Sequence, residues 1–320
     1  MTSVQHRIVA VAVGVTDKDL LIDTVAQASS AGVRPYIAGL VEGLRQRGHN
    51  IGADYVIDYR EHAPDGIQKA VTDGIKQSKE AKENPLIFPM STTVLKAAMS
   101  VSNSIPIVFP SISHPQQDGV VPGGNATGVS AQRSQTVGEC LARFKQTVTS
   151  LTTVHVLTRR RYDPAERAQP YLTSSNKSLG LTLVTAEVDS EKDIMDAING
   201  IAPQPSPNGP PIGVLVSPND LLFAAADKII STAHTRLPTF FSTTDWVKPN
   251  LPSALAGYGV PQYKCGELAA AHVHHVLWNG KNPGDITTVD AKHFEWAVSR
   301  SAAAALNIDI SQVPNQATII

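Results

Sequence analysis

Cysteine is nearly absent: Cys140 and Cys265 are the two in 320 residues. They stand far apart with no metal-ligand neighbours, which excludes a disulfide framework and a cysteine-based zinc site. Both are expected to be free, mostly buried thiols. Such low cysteine leaves the compartment open. Aromatic residues make up 5% of the chain, and no basic segment interleaves with them as a single-strand binding groove requires. Charge of one sign is also missing, since 27 basic and 28 acidic residues give a net charge of -1, so no basic arm addresses nucleic acid and none is expected as a partner. No apolar run approaches the ~20 residues that span a membrane. The longest at the N-terminus, Ile8 to Val15, reads as a buried strand and not as the core of an export signal. There is no nucleophile elbow, P-loop or dinucleotide glycine pattern. His272, His274 and His275 share one helix without a third ligand type nearby, and the helix C-terminus explains them better than a metal does. No metal, cofactor or catalytic residue is expected.

What is present is alternation. Short β-branched runs (Ile8–Val13, Tyr55–Tyr59, Leu86–Pro89, Ile107–Phe109, then Val154–Leu157, Leu181–Val188, Ile212–Val216 and Thr239–Phe241) alternate with amphipathic stretches such as Pro35–Arg47. This pattern predicts an α/β fold of two Rossmann-like lobes, each a parallel sheet flanked by helices. The glycines of Pro122–Gly128 separate the two sets of four strands and read as a lobe-to-lobe crossing; Ala256–Pro261 reads as the return. A helix is expected over Gln262–Trp278, a strand pair within Thr287–Val298 and a last helix around Ser299–Leu306. Three crossings follow. Lobe I is expected to comprise residues 1–128 plus 259–286, and lobe II residues 129–258 plus 287–320. Pro203–Pro211 reads as a surface loop between a helix and a strand.

In open α/β sheets, ligands lie beyond the C-terminal ends of the strands. Ser91 and Thr92 open a helix there and offer hydroxyl and backbone donors to a carboxylate, or simply cap the helix. Arg159, Arg160 and Arg161 precede Tyr162 after the first strand of lobe II, and arginine forks bind carboxylates. Asn219 and Asp220 cap a later helix, with Asp220 also suited to a ligand amine.

The segments Ile105–Phe109, Pro122–Ser130, Gly39–Gly48, Gly257–Gly259 and Trp278–Pro283 resemble the ABC-transporter substrate-binding family related to tryptophan- and tyrosine-binding importer proteins. The resemblance runs from about Arg7 to Ile310. It implies a type I periplasmic-binding fold, no cofactor, a small-molecule ligand, a membrane ABC permease as partner, a monomer and a periplasmic or extracytoplasmic location, although no signal peptide is read in this chain. It also implies ligand contacts in the loop after the first strand (Thr16), at Ser91 and Thr92, at the turn where relatives have Asp-Pro and this chain has His114-Pro115, in Arg159, Arg160 and Tyr162, at Asn219 and Asp220, and at Tyr258. Tyr263 joins Tyr258 as an apolar wall or phenol donor. The exchange of an acidic for a neutral or basic contact at His114 and Arg159 favours a carboxylate-bearing solute, an amino acid or an aromatic or organic acid, enclosed by hinge closure. The segment Lys18–Pro35, long for its place, is expected to cover the cleft mouth. The competing readings are a cytosolic sensor or regulator lobe pair without a DNA-binding domain, and an α/β enzyme with a cleft active site.

Overall fold

A computed structural model of the chain describes residues 6–28, 34–201 and 212–320. The chain divides into two compact units, Met1–Gln132 with Gln262–Lys292, and Arg133–Pro261 with His293–Ile320. In chain order the first unit carries β1 (His6–Val13), β2 (Lys18–Ile22), α1 (Val25–Ala28), α2 (Pro35–Arg45), β3 (Tyr55–His62), α3 (Ile67–Glu80), β4 (Asn84–Pro89), α4 (Thr92–Val101), β5 (Ile107–Phe109) and β6 (Ala126–Ser130). The second follows with α5 (Arg133–Thr147), β7 (Thr153–Arg159), α6 (Asp163–Leu179), β8 (Thr182–Val188), α7 (Glu191–Gly200), β9 (Ile212–Val216), α8 (Asp220–Ala224), α9 (Ala226–Ala233), β10 (Thr239–Phe241) and β11 (Ala256–Gly259). The chain then returns to the first unit for α10 (Gln262–Leu277) and β12 (Val289–Asp290), and finishes in the second with β13 (Glu295–Val298), α11 (Arg300–Ala305) and β14 (Thr318–Ile319).

The first sheet has the order β12-β6-β5-β4-β1-β3-β2 and the second β14-β13-β11-β10-β9-β7-β8. All pairs are parallel except β2 with β3 and β11 with β13. β1 lies between β3 and β4, and Ile8 through Val13 are all buried. A central parallel strand covered on both faces needs such an unbroken apolar run. The direction of winding reverses between β1 and β4, and again between β7 and β9. In open α/β sheets, the loops after strands at such switch points are where ligands bind.

In the first unit, α2 and α10 pack so closely that glycine is required where they touch. A Cβ on Gly39 would stand 1.9 Å from the carbonyl oxygen of Tyr263, and one on Gly266 would stand 2.1 Å from that of Tyr36. The Gly39–Gly48 segment of the resemblance thus has a packing reason. Tyr36, Ile37, Leu40 and Leu44 of α2 are buried, in keeping with the helical spacing of the sequence.

Several expectations change. Pro122–Gly128 is not itself the crossing: it leads into β6, which pairs with β5, and the units meet in sequence at Gln132 and Arg133. Ala256–Gly259 is likewise strand β11, and the return falls between Pro261 and Gln262. The strands within Thr287–Val298 do not pair with each other, because β12 joins β6 and β13 joins β11. Lys18–Ile22 is the edge strand β2 of the first sheet, held by β3 and therefore not a free cover. Residues 29–33 and the whole of the Pro203–Pro211 loop lie outside the described residues.

Candidate functional site

In the first unit, the loop after β4 places Ser91 at the N-cap of α4, where its hydroxyl accepts from Val94 N at 3.3 Å. Both readings of that cluster therefore begin from a real cap. Ser91→Ala should cost about 1 kcal/mol of stability, read as a lower midpoint in urea unfolding. Thr92 is buried beside it. Lys96, further along α4, reaches Asp118 at 3.8 Å, and Asp118 N donates to the carbonyl of His114 at 3.0 Å. Asp118 is a buried carboxylate that sequence reading missed; it links α4 to the half-buried His114 turn. Thr16 lies exposed in the bend after β1. Tyr263 is set apart, on the α2-facing side of α10, with its carbonyl under Gly39.

The second unit gathers more of the expected residues. Arg159, at the end of β7, donates to Asp220 Oδ1 at 3.0 Å, and its guanidinium lies 5.4 Å from the Tyr162 ring centroid. The pairing arises because β7 and β9 are neighbours, with Leu157 opposite Val216. Asn219 Oδ1 caps α8 through Leu221 N at 2.8 Å and Leu222 N at 3.3 Å. Arg160 points away to solvent, paired with Glu187 and Asp189 at 3.3 and 3.7 Å; such exposed pairs contribute little. Tyr258 is turned into the core, with its ring under the Arg143 guanidinium at 4.0 Å and stacked on Phe294 at 5.8 Å. Burial, then a hydrogen bond with Glu139, raises its phenol above the usual range. Cys140 lies in the same core, and burial pushes its thiol up to about 12. Cys140 and Cys265 are both buried and form no disulfide.

Four buried polar atoms at this end of the second sheet lack a hydrogen-bond partner among the described residues: Ser217 Oγ, Asn219 Nδ2, Asp220 Oδ2 and Ser242 Oγ. Val216 stands opposite Phe241 in the ladder, so Ser217 and Ser242 follow side by side on neighbouring strands. Leaving a buried polar atom unpaired costs about 1–3 kcal/mol. Folded proteins rarely tolerate several in one place unless something else satisfies them.

Arg133, another residue that sequence reading missed, borders this group. Its buried guanidinium donates to the carbonyls of Ser242 and Val260 at 2.8 and 2.9 Å and lies 5.8 Å from the Phe223 ring. Phe223 in turn meets Trp246 with 4.8 Å between centroids, an apolar flank to the polar cluster. No periodicity marked Arg133, since a charged residue at a helix start reads as solvated. A surface pocket of about 390 Å³, lined by Ile75, Lys76, Lys79 and Ile105 among others, lies at the opposite end of the first sheet and takes no part.

Among the described residues no helix is long and apolar enough to cross a membrane. None of their His, Cys, Asp and Glu side chains form a group of three or more placed to hold a metal ion. The two-sheet architecture is that of type I periplasmic binding proteins. A solved structure of a conserved domain protein from Vibrio cholerae O1 biovar eltor superposes with a TM-score of 0.75 at 22% identity, covering 98% of this chain and 99% of that one. An ABC domain in complex with L-Trp from Streptococcus pneumoniae gives 0.71 at 19% identity, covering 98% and 100%. At these identities the likeness concerns the fold. The tyrosine-binding protein of Clostridioides difficile (strain R20291) is 23% identical over 277 residues, 84% of this chain and 76% of that protein. The profile of the ABC transporter substrate binding protein family matches residues 23–317, nearly the whole length, and the chain belongs to that family.

Proposed function

We propose that this chain is the solute-binding component of an ABC import system, working outside the cytoplasm as a monomer with a membrane permease and catalysing nothing, and that its solute is an amino acid. The observation that carries the solute class is the state of Asp220: one carboxylate oxygen meets Arg159, while Oδ2 is buried and unpartnered. Arg159 alone suggests a carboxylate. Paired with Asp220 it suggests a zwitterion, because the free oxygen accepts from an ammonium and the remaining guanidinium donors fit a carboxylate. The hydroxyls of Ser217 and Ser242 and the amide of Asn219 supply further polar contacts. Phe223 and Trp246 offer apolar surface to a side chain. The tyrosine-binding relative and the L-Trp complex support an amino acid as the class.

The test is calorimetry and thermal shift with L-amino acids, their counterparts lacking the amino group, and dicarboxylates. Amino acids should raise the melting temperature in proportion to the logarithm of their concentration. Asp220→Asn should weaken binding of the best of them by about tenfold or more, the loss of one charge-assisted hydrogen bond. Equal affinity for the des-amino acids would remove the zwitterion from the proposal. Silence across the panel would remove the solute-binding reading of this end of the sheet.

A further inference from the structure

Where β1 and β3 begin, at the end of the first sheet away from the switch-point loops, lies a cluster of imidazoles around one indole. His49, in the turn after α2, stacks on Trp278 with 3.7 Å between ring centroids. Its Nε2 stands 2.8 Å from Nδ1 of His274 in the last turn of α10. His6, the first residue of β1, meets the same indole edge-on at 5.0 Å, and its Nδ1 is buried without a partner among the described residues. Asn279 approaches with its amide nitrogen, 3.0 Å from His275 Nδ1 and 3.4 Å from His274 Nε2.

Two imidazole nitrogens at this distance share a single hydrogen, one donating and the other accepting. The Asn279 nitrogen has hydrogens only to give, so His274 Nε2 accepts. His274 therefore carries its proton on Nδ1, His49 Nε2 accepts it, and His274 is neutral. A proton added to His49 Nε2 sets one N–H against another. A proton added to His274 Nε2 does the same toward the Asn279 amide. The first event breaks the hydrogen bond between His49 and His274; the second breaks only the contact with Asn279 and leaves the Nδ1–H donated to His49.

The charges facing the cluster pull both ways. His49 repels protons from His6 and His274, and His275 and then Arg47 repel them from His274 as well, whereas Asp54, in the turn before β3, draws them onto His6 and His49. The negative end of α10 also favours a charged His274. Burial is the largest influence on each of the three and outweighs these pulls, holding His6, His49 and His274 below the ordinary histidine range. We propose that His49 and His274 form a proton-sensitive tie between the turn after α2 and the end of α10, closed at neutral pH and opened in mild acid. The sign follows from linkage: rings that resist protonation in the fold contribute stability above their unfolded value of about 6.5, and lose it as pH falls through the folded value.

His49→Gln tests the tie, because glutamine keeps an acceptor for His274 and takes up no proton. Between about pH 7.5 and pH 5, the melting temperature of the natural protein should fall further than that of the variant, by roughly 3 °C or more. Equal falls overturn the proposal. Should the variant not fold, proton NMR of the natural protein decides, since the Trp278 ring displaces the His49 Hε1 resonance upfield. A titration midpoint below that of free histidine supports the tie, and a midpoint at or above it overturns the tie.

Discussion

Arg159→Met should lower the stability of the second unit by about 3 kcal/mol, the usual cost of stranding one member of a buried ion pair. The Asp220 side chain is 4% exposed and that of Arg159 17%, so the carboxylate would lose its charged partner in a largely desolvated place. Asp220 Oδ1 would keep the amide of Leu221, and Oδ2 would keep nothing from within the unit. Combining Arg159→Met with Asp220→Leu should recover most of the loss, because two apolar groups of similar volume often match a buried pair in stability. Urea unfolding of the two single variants and the double variant measures the coupling. A loss under about 1 kcal/mol in Arg159→Met would mean that the pair behaves like a surface contact. Asp220 would then be too well solvated for the role given to it.

Gly39→Val should cost the first unit about 4 kcal/mol or more, beyond ordinary overpacking because the obstacle is main chain. The new Cβ would fall 1.9 Å from the carbonyl oxygen of Tyr263, and neither helix can yield by rotating a side chain. The two must separate, exposing Ile37, Leu40 and Leu44, all buried on α2. Gly200→Ala is the control. Nothing lies within 4 Å of a Cβ there, and the residue ends α7, so alanine should be neutral or slightly stabilising. Circular dichroism melts of both variants separate close approach from a general intolerance of side chains at glycine.

The strands legible in the sequence were those covered on both faces. Ile8–Val13 and Ile212–Val216 read as apolar runs because parallel neighbours flank them on either side. Edge and short strands carried no such mark: β2 begins with exposed Lys18 and Asp19, as edges do, and β12 and β14 exist by virtue of the strands they pair with. The crossings were read a few residues early because glycine-rich turns resemble linkers even where, as at Thr127 and Gly128, the next residues are already in a ladder. Caps were readable at Ser91 and Asn219, where a short polar side chain precedes a helix. The meeting of Arg159 with Asp220 was not, since they are 61 positions apart and join only through the adjacency of β7 and β9. That meeting turns three apparently free arginines into one neutralised, one solvent-paired and one exposed at Arg161, and it is the reason the proposed function takes the amino acids from the wider class of carboxylate-bearing solutes that the sequence left open.

The glycine contact between α2 and α10 also fixes an order of events in synthesis. The helix that covers α2 begins at Gln262, after every strand from β7 to β11 has been made. The second unit waits in turn for β13 and β14, which bring in Thr318 and Ile319 at the far end of the chain. The second unit therefore cannot close its sheet before Ile319 is made, and the early sheet of the first emerges with one helix layer open until α10 follows.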